Sequence, residues 1–167
     1  MNDAPRPRDL ILPDDDATTR LGAGLARLAR AGDVIALWGD LGAGKSTLAR
    51  GAVRALTTPG EDVPSPTFTL VQTYDPTEPG RPPVWHFDLY RLDDPEEALA
   101  LDLDDAFAEA LSLIEWPERL GVYLPDSRLD VALRPRPSGE TGREARLVPQ
   151  GGDWDQRLPL DPLDLLR

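Results

Sequence analysis

The chain has 167 residues and no cysteine, so it provides neither disulfide bonds nor thiolate ligands for a metal. With 40% hydrophobic and 29% charged residues, its composition is that of an ordinary globular domain large enough to bury a sizeable core. A formal net charge of −12 argues against a protein that binds DNA or RNA by itself, because contact with the phosphate backbone requires a basic surface.

The first predicted elements are a helix and a strand. In LPDDDATTRLGAGLARLARAGD, a loop and an aspartate cap precede a helix on which Leu21, Leu25 and Leu28 recur at helical spacing. Gly32 ends this helix, and the continuously apolar run VIALW (34–38) that follows is typical of a central parallel strand.

This strand leads into GDLGAGKS (39–46), which fits the pattern G-x-x-x-x-G-K-[ST]. In this pattern backbone N–H groups surround phosphates, the lysine reaches the β- and γ-phosphates, and the hydroxyl binds Mg²⁺. Lys45 is the only lysine beside seventeen arginines, and the planar guanidinium of arginine does not fit such a narrow cradle. The following KSTLARGAVRAL predicts a helix whose N-terminus presents free N–H groups and a positive dipole end to the phosphates. These features predict a nucleotide-binding P-loop.

Downstream of the P-loop, strands alternate with turns and helices. FTLVQTY (68–74) and VWHFDLY (84–90) predict two strands around a turn, and DDPEEAL (93–99) predicts the capped start of a helix. LSLIEWP (111–117) predicts a buried strand that a proline ends, and RLDVALRPRPSGETGREARLVP (128–149) predicts a hairpin with a Pro/Gly-rich turn.

The order of these elements predicts an α/β fold that is P-loop NTPase-like. We expect a mainly parallel central sheet flanked by helices, with additional antiparallel strands. Residues 1–150 are expected to form a single P-loop ATPase domain. Residues 151–167 are acidic and contain proline, and we expect them to form a loosely held C-terminal tail.

The sequence contains no pattern typical of an export signal or a membrane span. The N-terminal MNDAPRPRDL lacks an apolar signal region, and no stretch approaches the ~18 apolar residues of a membrane helix. We therefore expect a cytoplasmic protein that contacts no membrane.

Two acidic residues are candidates for the metal and the chemistry, since a P-loop enzyme also needs an acid at the end of another core strand. Glu115 ends the run LSLIE, and a parallel strand would place it at the sheet edge where α/β proteins bind ligands. Asp88 lies in HFDLY beside His86, the only histidine, which we expect to be a core residue or a support for the site. The alternative for each acid is a structural ion pair with an arginine.

Other polar residues have two interpretations each. Thr67, in SPTF (65–68), is either a hydroxyl that senses a γ-phosphate, as a switch does, or an ordinary loop threonine. Four arginines lie close together in the sequence and form either a local basic patch or solvated strand ends: Arg134, Arg136, Arg143 and Arg146.

Four segments, in this order and spacing, resemble the TsaE family (formerly YjeE), the P-loop ATPases of bacterial tRNA threonylcarbamoyladenosine synthesis. They are GDLGAGKSTLARG, VPSPTFTLVQTY, HFDLYRL and LIEWPERL, and the resemblance covers about residues 10–148. It implies ATP and Mg²⁺ as cofactors and the TsaD and TsaB proteins as partners. These partners modify the adenosine beside the anticodon. The resemblance therefore implies that this protein contacts tRNA only as part of the complex and that it does not bind DNA.

The resemblance also implies roles for individual residues. Phosphates would be bound by Gly42, Ala43, Gly44, Lys45, Ser46 and Thr47. Ser46 and Glu115 would hold the metal, Asp88 would be needed for hydrolysis, and Thr67 would lie in a switch-like loop. Trp116 would stand beside the site, and the segments around Asp15 and Gly142 would flank the base. The expected catalytic group is Lys45, Thr67, Asp88 and Glu115.

The chain departs from the family pattern in three places. The family usually has threonine at the position of Ser46. The serine keeps the hydroxyl oxygen that would bind the metal. LDLDDAF lacks a glycine that is common in the family, and the segment beyond residue 150 has no counterpart in it.

Two other functions remain open from the residues alone. A small-molecule kinase would use Asp88 as the base of an acceptor and the distal arginines as a lid. An ATP-dependent binding switch would share every site residue, and its hydrolysis would be incidental. A GTPase is disfavoured, because guanine recognition usually uses Asn/Thr-Lys-x-Asp and the only lysine is in the P-loop.

Overall fold

A computed structural model describes residues 4–137 and 139–167. In this part of the chain the strands are β1 (Arg8–Leu12), β2 (Val34–Trp38), β3 (Val71–Tyr74), β4 (Val84–Asp88), β5 (Leu111–Glu115), β6 (Arg128–Pro135) and β7 (Arg143–Gln150). The α-helices are α1 (Asp15–Leu28), α2 (Lys45–Leu56), α3 (Leu103–Glu109) and α4 (Trp154–Arg157), and 3₁₀ segments span Pro95–Leu101, Pro117–Tyr123 and Pro162–Leu166. No helix in residues 4–137 and 139–167 is long and apolar enough to cross a membrane.

The strands form one sheet in the order β1-β7-β6-β2-β5-β4-β3. The four inner strands β6, β2, β5 and β4 run parallel, whereas β1 and β7 on one side and β3 on the other pair antiparallel. The predicted α/β fold, with its parallel centre and its additional antiparallel strands, is confirmed.

The strand β2 lies at the centre because both of its faces are apolar. Ile35 and Leu37 belong to the larger core cluster, on the side of α1 and α2. Val34 belongs to the smaller cluster, which α3 and the neighbouring 3₁₀ segments cover on the other side. Alternate side chains of a strand point to opposite faces, so a strand between two helical layers is apolar throughout.

The helices α1 and α2 touch each other through their backbones. A Cβ atom at Gly22 would lie 2.0 Å from the carbonyl oxygen of Leu48, and one at Gly51 would lie 2.2 Å from that of Thr19. Any side chain at these two glycines would therefore push the helices apart. The helix that begins at Lys45 is thus seated directly on α1.

One strand is not predicted by the sequence pattern, and two predicted strand boundaries differ from the structure. The strand outside the prediction is β1, which has only five residues and whose side chains alternate between buried and exposed positions. The strand predicted from Phe68 begins at Val71, because Leu70 has a left-handed φ of 67°. The strand β4 ends at Asp88, two residues before the predicted Tyr90, because the chain turns there.

The C-terminal tail packs against the core, so the expectation of a loosely held extension is wrong. Trp154, Leu158 and Leu165 are buried in the larger cluster, where α1 also contributes side chains. Arg157 donates to both carboxylate oxygens of Asp33, at 2.7 and 2.9 Å. Acidic residues and prolines around a few apolar side chains concealed this packing, because the apolar positions follow no helical or strand period.

Truncating one of these tail side chains should lower the stability of the fold. We expect Leu158→Ala to reduce the free energy of unfolding by about 2 kcal/mol, since it removes a buried leucine side chain. Urea unfolding followed by circular dichroism measures the change. Leu160→Ala is the matched control, because Leu160 is fully exposed. Equal unfolding midpoints for the two variants would contradict a packed tail.

Candidate active site

The P-loop lies between β2 and α2 and surrounds the amino group of Lys45. Gly44, the residue before α2, has a left-handed φ of 106°, and no side chain in the described part of the chain caps the helix N-terminus. The N–H groups of that turn are therefore available to an anion. The Lys45 ammonium donates to the carbonyl oxygens of Gly39 and Asp40 and lies 4.0 Å from the ring centroid of Trp116. Burial lowers the pKa of Lys45, and the negative charge of Glu115 opposes that shift.

Ser46 and Glu115 meet beside the P-loop. The strand β5 is parallel to β2 and pairs Glu115 with Leu37, which places this carboxylate at the carboxyl edge of the sheet. The hydroxyl of Ser46 donates to both carboxylate oxygens of Glu115, at 2.9 and 3.1 Å. His86 Nε2 lies 2.6 Å from Glu115 Oε2, and both side chains are buried. His86 and Ser46 therefore both hold the Glu115 carboxylate in position.

This donor set suits Mg²⁺. The ion prefers oxygen ligands and is usually bound through one or two carboxylates together with water and phosphate oxygens. Ser46 and Glu115 offer a hydroxyl and a carboxylate at one point. Within the described ranges, no group of three or more His, Cys, Asp or Glu side chains is arranged to hold a metal. An ion at this point would therefore take its remaining ligands from a nucleotide and from water.

Asp88 is the neighbour of Glu115 across the β4–β5 pair and organises a loop. Its Oδ2 accepts a hydrogen bond from Ser65 at 3.2 Å, and the Ser65 and Thr67 hydroxyls are 3.0 Å apart. Its Oδ1 accepts from the backbone N–H of Tyr90 at 3.1 Å. Thr67 thus reaches Asp88 through Ser65, a residue that the sequence had not singled out.

These residues line one cleft, which has a volume of about 450 Å³. The residues that line it include the P-loop, Thr67, Asp88 and Arg91, together with Glu115 and Trp116. Such a volume lies within the ordinary range for a small-molecule site. The cleft brings together all four residues expected to be catalytic.

Trp116 closes part of this cleft in an unusual backbone conformation. It has a left-handed φ of 58°, and its ring centroid lies 5.0 Å from that of Tyr90. A bulky residue in this region is strained and persists only where its surroundings hold it. The contacts with Lys45 and Tyr90 do so here.

A second cavity, of about 380 Å³, adjoins the cleft, and Gly42 and Arg143 line both. Asp15 and Gly142 line this second cavity, so the two segments expected to flank the base meet beside the P-loop. Gly142 has a φ of 89°, and a Cβ there would lie 2.2 Å from the carbonyl oxygen of Leu12. Only glycine allows so close an approach.

Arg143 contributes to the site in a way that the sequence had not indicated. Its guanidinium donates to Asp15 at 2.6 Å and to the hydroxyl of Thr18 at 3.0 Å. Its side chain lies against Gly44, where a Cβ would be 2.7 Å from Nε. Arg143 is distant from the P-loop in sequence, and the pairing of β7 with β6, which lies beside β2, brings it there.

The four clustered arginines do not form a basic patch. Each pairs with a carboxylate: Arg134 with Glu144 at 2.6 Å, Arg136 with Glu140 at 2.5 Å, Arg143 with Asp15 at 2.6 Å and Arg146 with Asp9 at 3.3 Å. Their charges are largely neutralised, which agrees with the interpretation as strand ends and weakens the case for phosphate-backbone binding.

Known proteins share the sequence and the fold of this chain. The family model described as "Threonylcarbamoyl adenosine biosynthesis protein TsaE" matches residues 12–145. A "tRNA threonylcarbamoyladenosine biosynthesis protein TsaE" of Nostoc sp. is 41% identical over 146 residues, 84% of this chain and 85% of that protein. One from Mycobacterium bovis is 41% identical over 128 residues, 73% of this chain and 76% of that protein.

Among solved structures, the crystal structure of YdiB from Bacillus subtilis is similar, with a TM-score of 0.74 and 27% sequence identity. The similarity covers 93% of this chain and 94% of that one. The match thus extends over nearly the whole sheet and its helices. The chain belongs to the TsaE family of tRNA threonylcarbamoyladenosine biosynthesis proteins.

Proposed function

We propose that the protein acts in this pathway as a Mg²⁺-dependent ATPase whose turnover depends on the TsaD and TsaB proteins. One observation carries the proposal: a single cleft at the N-terminus of α2 is lined by Lys45, Ser46, Asp88 and Glu115. All four residues lie within residues 1–150, the segment that the sequence predicts as the ATPase domain.

The cleft and the adjoining cavity together suit a nucleoside triphosphate. The residues Gly42 to Thr47 would bind the phosphates, and the cavity beside Asp15 and Gly142 would take the base. Ser46 and Glu115 would hold the metal, whose chemistry is to neutralise charge on the β- and γ-phosphate oxygens. Asp88 would orient the attacking water, because it lines the same cleft as the P-loop and Glu115.

The charge and the 65–68 loop support a dependence on protein partners. The net charge of −12 and the paired arginines disfavour direct tRNA binding. Phe68, at the end of the loop that Asp88 holds through Ser65, is 84% exposed. A partner that covers Phe68 would order this loop and complete the site. Hydrolysis would then be fast only when the partner is bound.

The test compares ATP turnover by the protein alone, with TsaD and TsaB, and with both partners plus tRNA. We expect the isolated protein to turn over far more slowly than a typical ~10 s⁻¹ and the partners to accelerate it. Mobility shifts at about 50 and 200 mM salt measure direct tRNA binding, which we expect to be weak at both.

Two results would contradict this function. Turnover near ~10 s⁻¹ without partners, or tight and steeply salt-dependent tRNA binding by the isolated protein, would exclude partner gating. Phosphate release that never exceeds the amount of protein would instead favour an ATP-dependent binding switch.

A further inference from the structure

Two arginines line the cleft, and Arg91 differs from Arg143 in its contacts. Arg143 is fixed by Asp15 at 2.6 Å and lines the cavity on the base side. Arg91 lies three residues after Asp88 and lines the phosphate cleft but not that cavity. Its guanidinium carbon lies 4.7 Å from the ring centroid of Phe68. Within residues 4–137 and 139–167, no carboxylate forms an ion pair with Arg91.

The contact with Phe68 leaves Arg91 free to change partner. Both side chains are exposed, and a cation–π contact between exposed groups is weak. A guanidinium that meets a phosphate forms shorter, charge-assisted and often bidentate hydrogen bonds. A phosphate within reach would therefore compete successfully with the phenyl ring for this cation.

The arrangement of the cleft also indicates which phosphate Arg91 would meet. The base-side cavity touches Gly42 and Arg143 but not Arg91. Arg91 lines the cleft together with Thr67 and Asp88, none of which lines that cavity. In a nucleotide whose base lies beside Gly142, we therefore expect the phosphate farthest from the base to be the one nearest Arg91.

We propose that Arg91 binds the terminal phosphate of a nucleoside triphosphate and that its contact with Phe68 links the 65–68 loop to the presence of that phosphate. The inference rests on the proposed ATPase function and adds to it a residue that distinguishes the triphosphate from the diphosphate. Arg91 contacts the loop directly through Phe68, whereas Asp88 does so through Ser65. Two contacts thus connect the loop to the cleft, Ser65 with Asp88 and Phe68 with Arg91. Under this proposal the second contact depends on whether the terminal phosphate is bound.

The experiment measures the affinities of Mg²⁺–ADP and of a non-hydrolysable Mg²⁺–ATP analogue by calorimetry. We expect Arg91→Ala to weaken the analogue roughly 10- to 100-fold, because it removes hydrogen bonds to a charged group. The same variant should change ADP affinity less than about twofold, and Arg91→Lys should retain part of the preference. Arg27→Ala is the control: it removes an exposed arginine of α1, outside the residues that line the cleft.

Hydrogen exchange of backbone amides 67–70 tests the link to the loop. In the wild type and in Arg27→Ala, the analogue should slow exchange relative to ADP, whereas Arg91→Ala and Phe68→Ala should abolish that difference. Equal affinity losses for both nucleotides, or no loss in Arg91→Ala, would overturn the inference while the ATPase function stands. A wild-type protein that binds neither nucleotide would overturn both.

Discussion

Lys45→Ala is expected to weaken Mg²⁺–ATP binding by at least about 100-fold, because a buried ammonium aimed at phosphates makes charge-assisted contacts worth several kcal/mol. The Lys45 side chain is only 5% exposed, and its partners in the structure are two backbone carbonyl oxygens and the ring of Trp116. Calorimetric titration with ATP and with ADP measures the loss.

The control for this prediction is the thermal midpoint of unfolding. We expect the midpoint of Lys45→Ala to lie close to that of the wild type or above it. The reason is that burial disfavours the charged form of Lys45 and lowers its pKa, so the charge does not stabilise the fold. Lys45→Arg should bind as poorly as Lys45→Ala, because a planar guanidinium does not fit between the P-loop carbonyls and Trp116. Unchanged ATP affinity together with unchanged turnover in Lys45→Ala would contradict the assignment of the P-loop as the phosphate site.

Asp88→Ala is expected to lower ATP turnover by roughly 10²–10⁴-fold, the usual contribution of a group that positions or deprotonates a nucleophile. Its requirement for Mg²⁺ should stay close to that of the wild type. Glu115→Ala should show the opposite pattern and need a higher Mg²⁺ concentration for nucleotide binding. The reason is geometric: Glu115 accepts from Ser46, whereas Asp88 bonds to Ser65 and Tyr90.

Titration of Mg²⁺ at fixed nucleotide, followed by turnover at saturating Mg²⁺, separates the two acids. Asp88→Asn is the matched control, because it keeps the shape of the side chain and an acceptor oxygen for Ser65 but removes the charge. If Asp88→Ala raised the Mg²⁺ requirement and Glu115→Ala did not, the two roles would be reversed.

The centre of the fold and the position of the P-loop could be predicted because their signals are local. The apolar run 34–38, the glycine pattern and the amphipathic helix adjoin one another along the chain. Glu115 could be placed as well, since the apolar strand before it had to be buried and its carboxylate had to lie at one end. Periodicity and one motif were sufficient for these residues.

The remaining features depend on contacts between distant segments. Arg143 reaches the P-loop because β7 pairs with β6 and β6 lies beside β2, an order of strands that no single segment encodes. The left-handed conformation of Trp116 is stabilised by Lys45 and Tyr90, neither of which adjoins it in sequence. The tail is ordered by Asp33 and by the core beneath α1. Local propensity carries no information on such pairings.

The direct contact between α1 and α2 has a consequence for motion in the cleft. With the carbonyl oxygens of Leu48 and Thr19 against Gly22 and Gly51, the two helices have little room to move relative to each other, so we expect the P-loop at the N-terminus of α2 to stay in place. The segment 65–68 is held differently, through the hydroxyl bonds of Ser65 and the exposed ring of Phe68. We therefore expect closure of the cleft around a nucleotide to involve the segment 65–70 rather than α2.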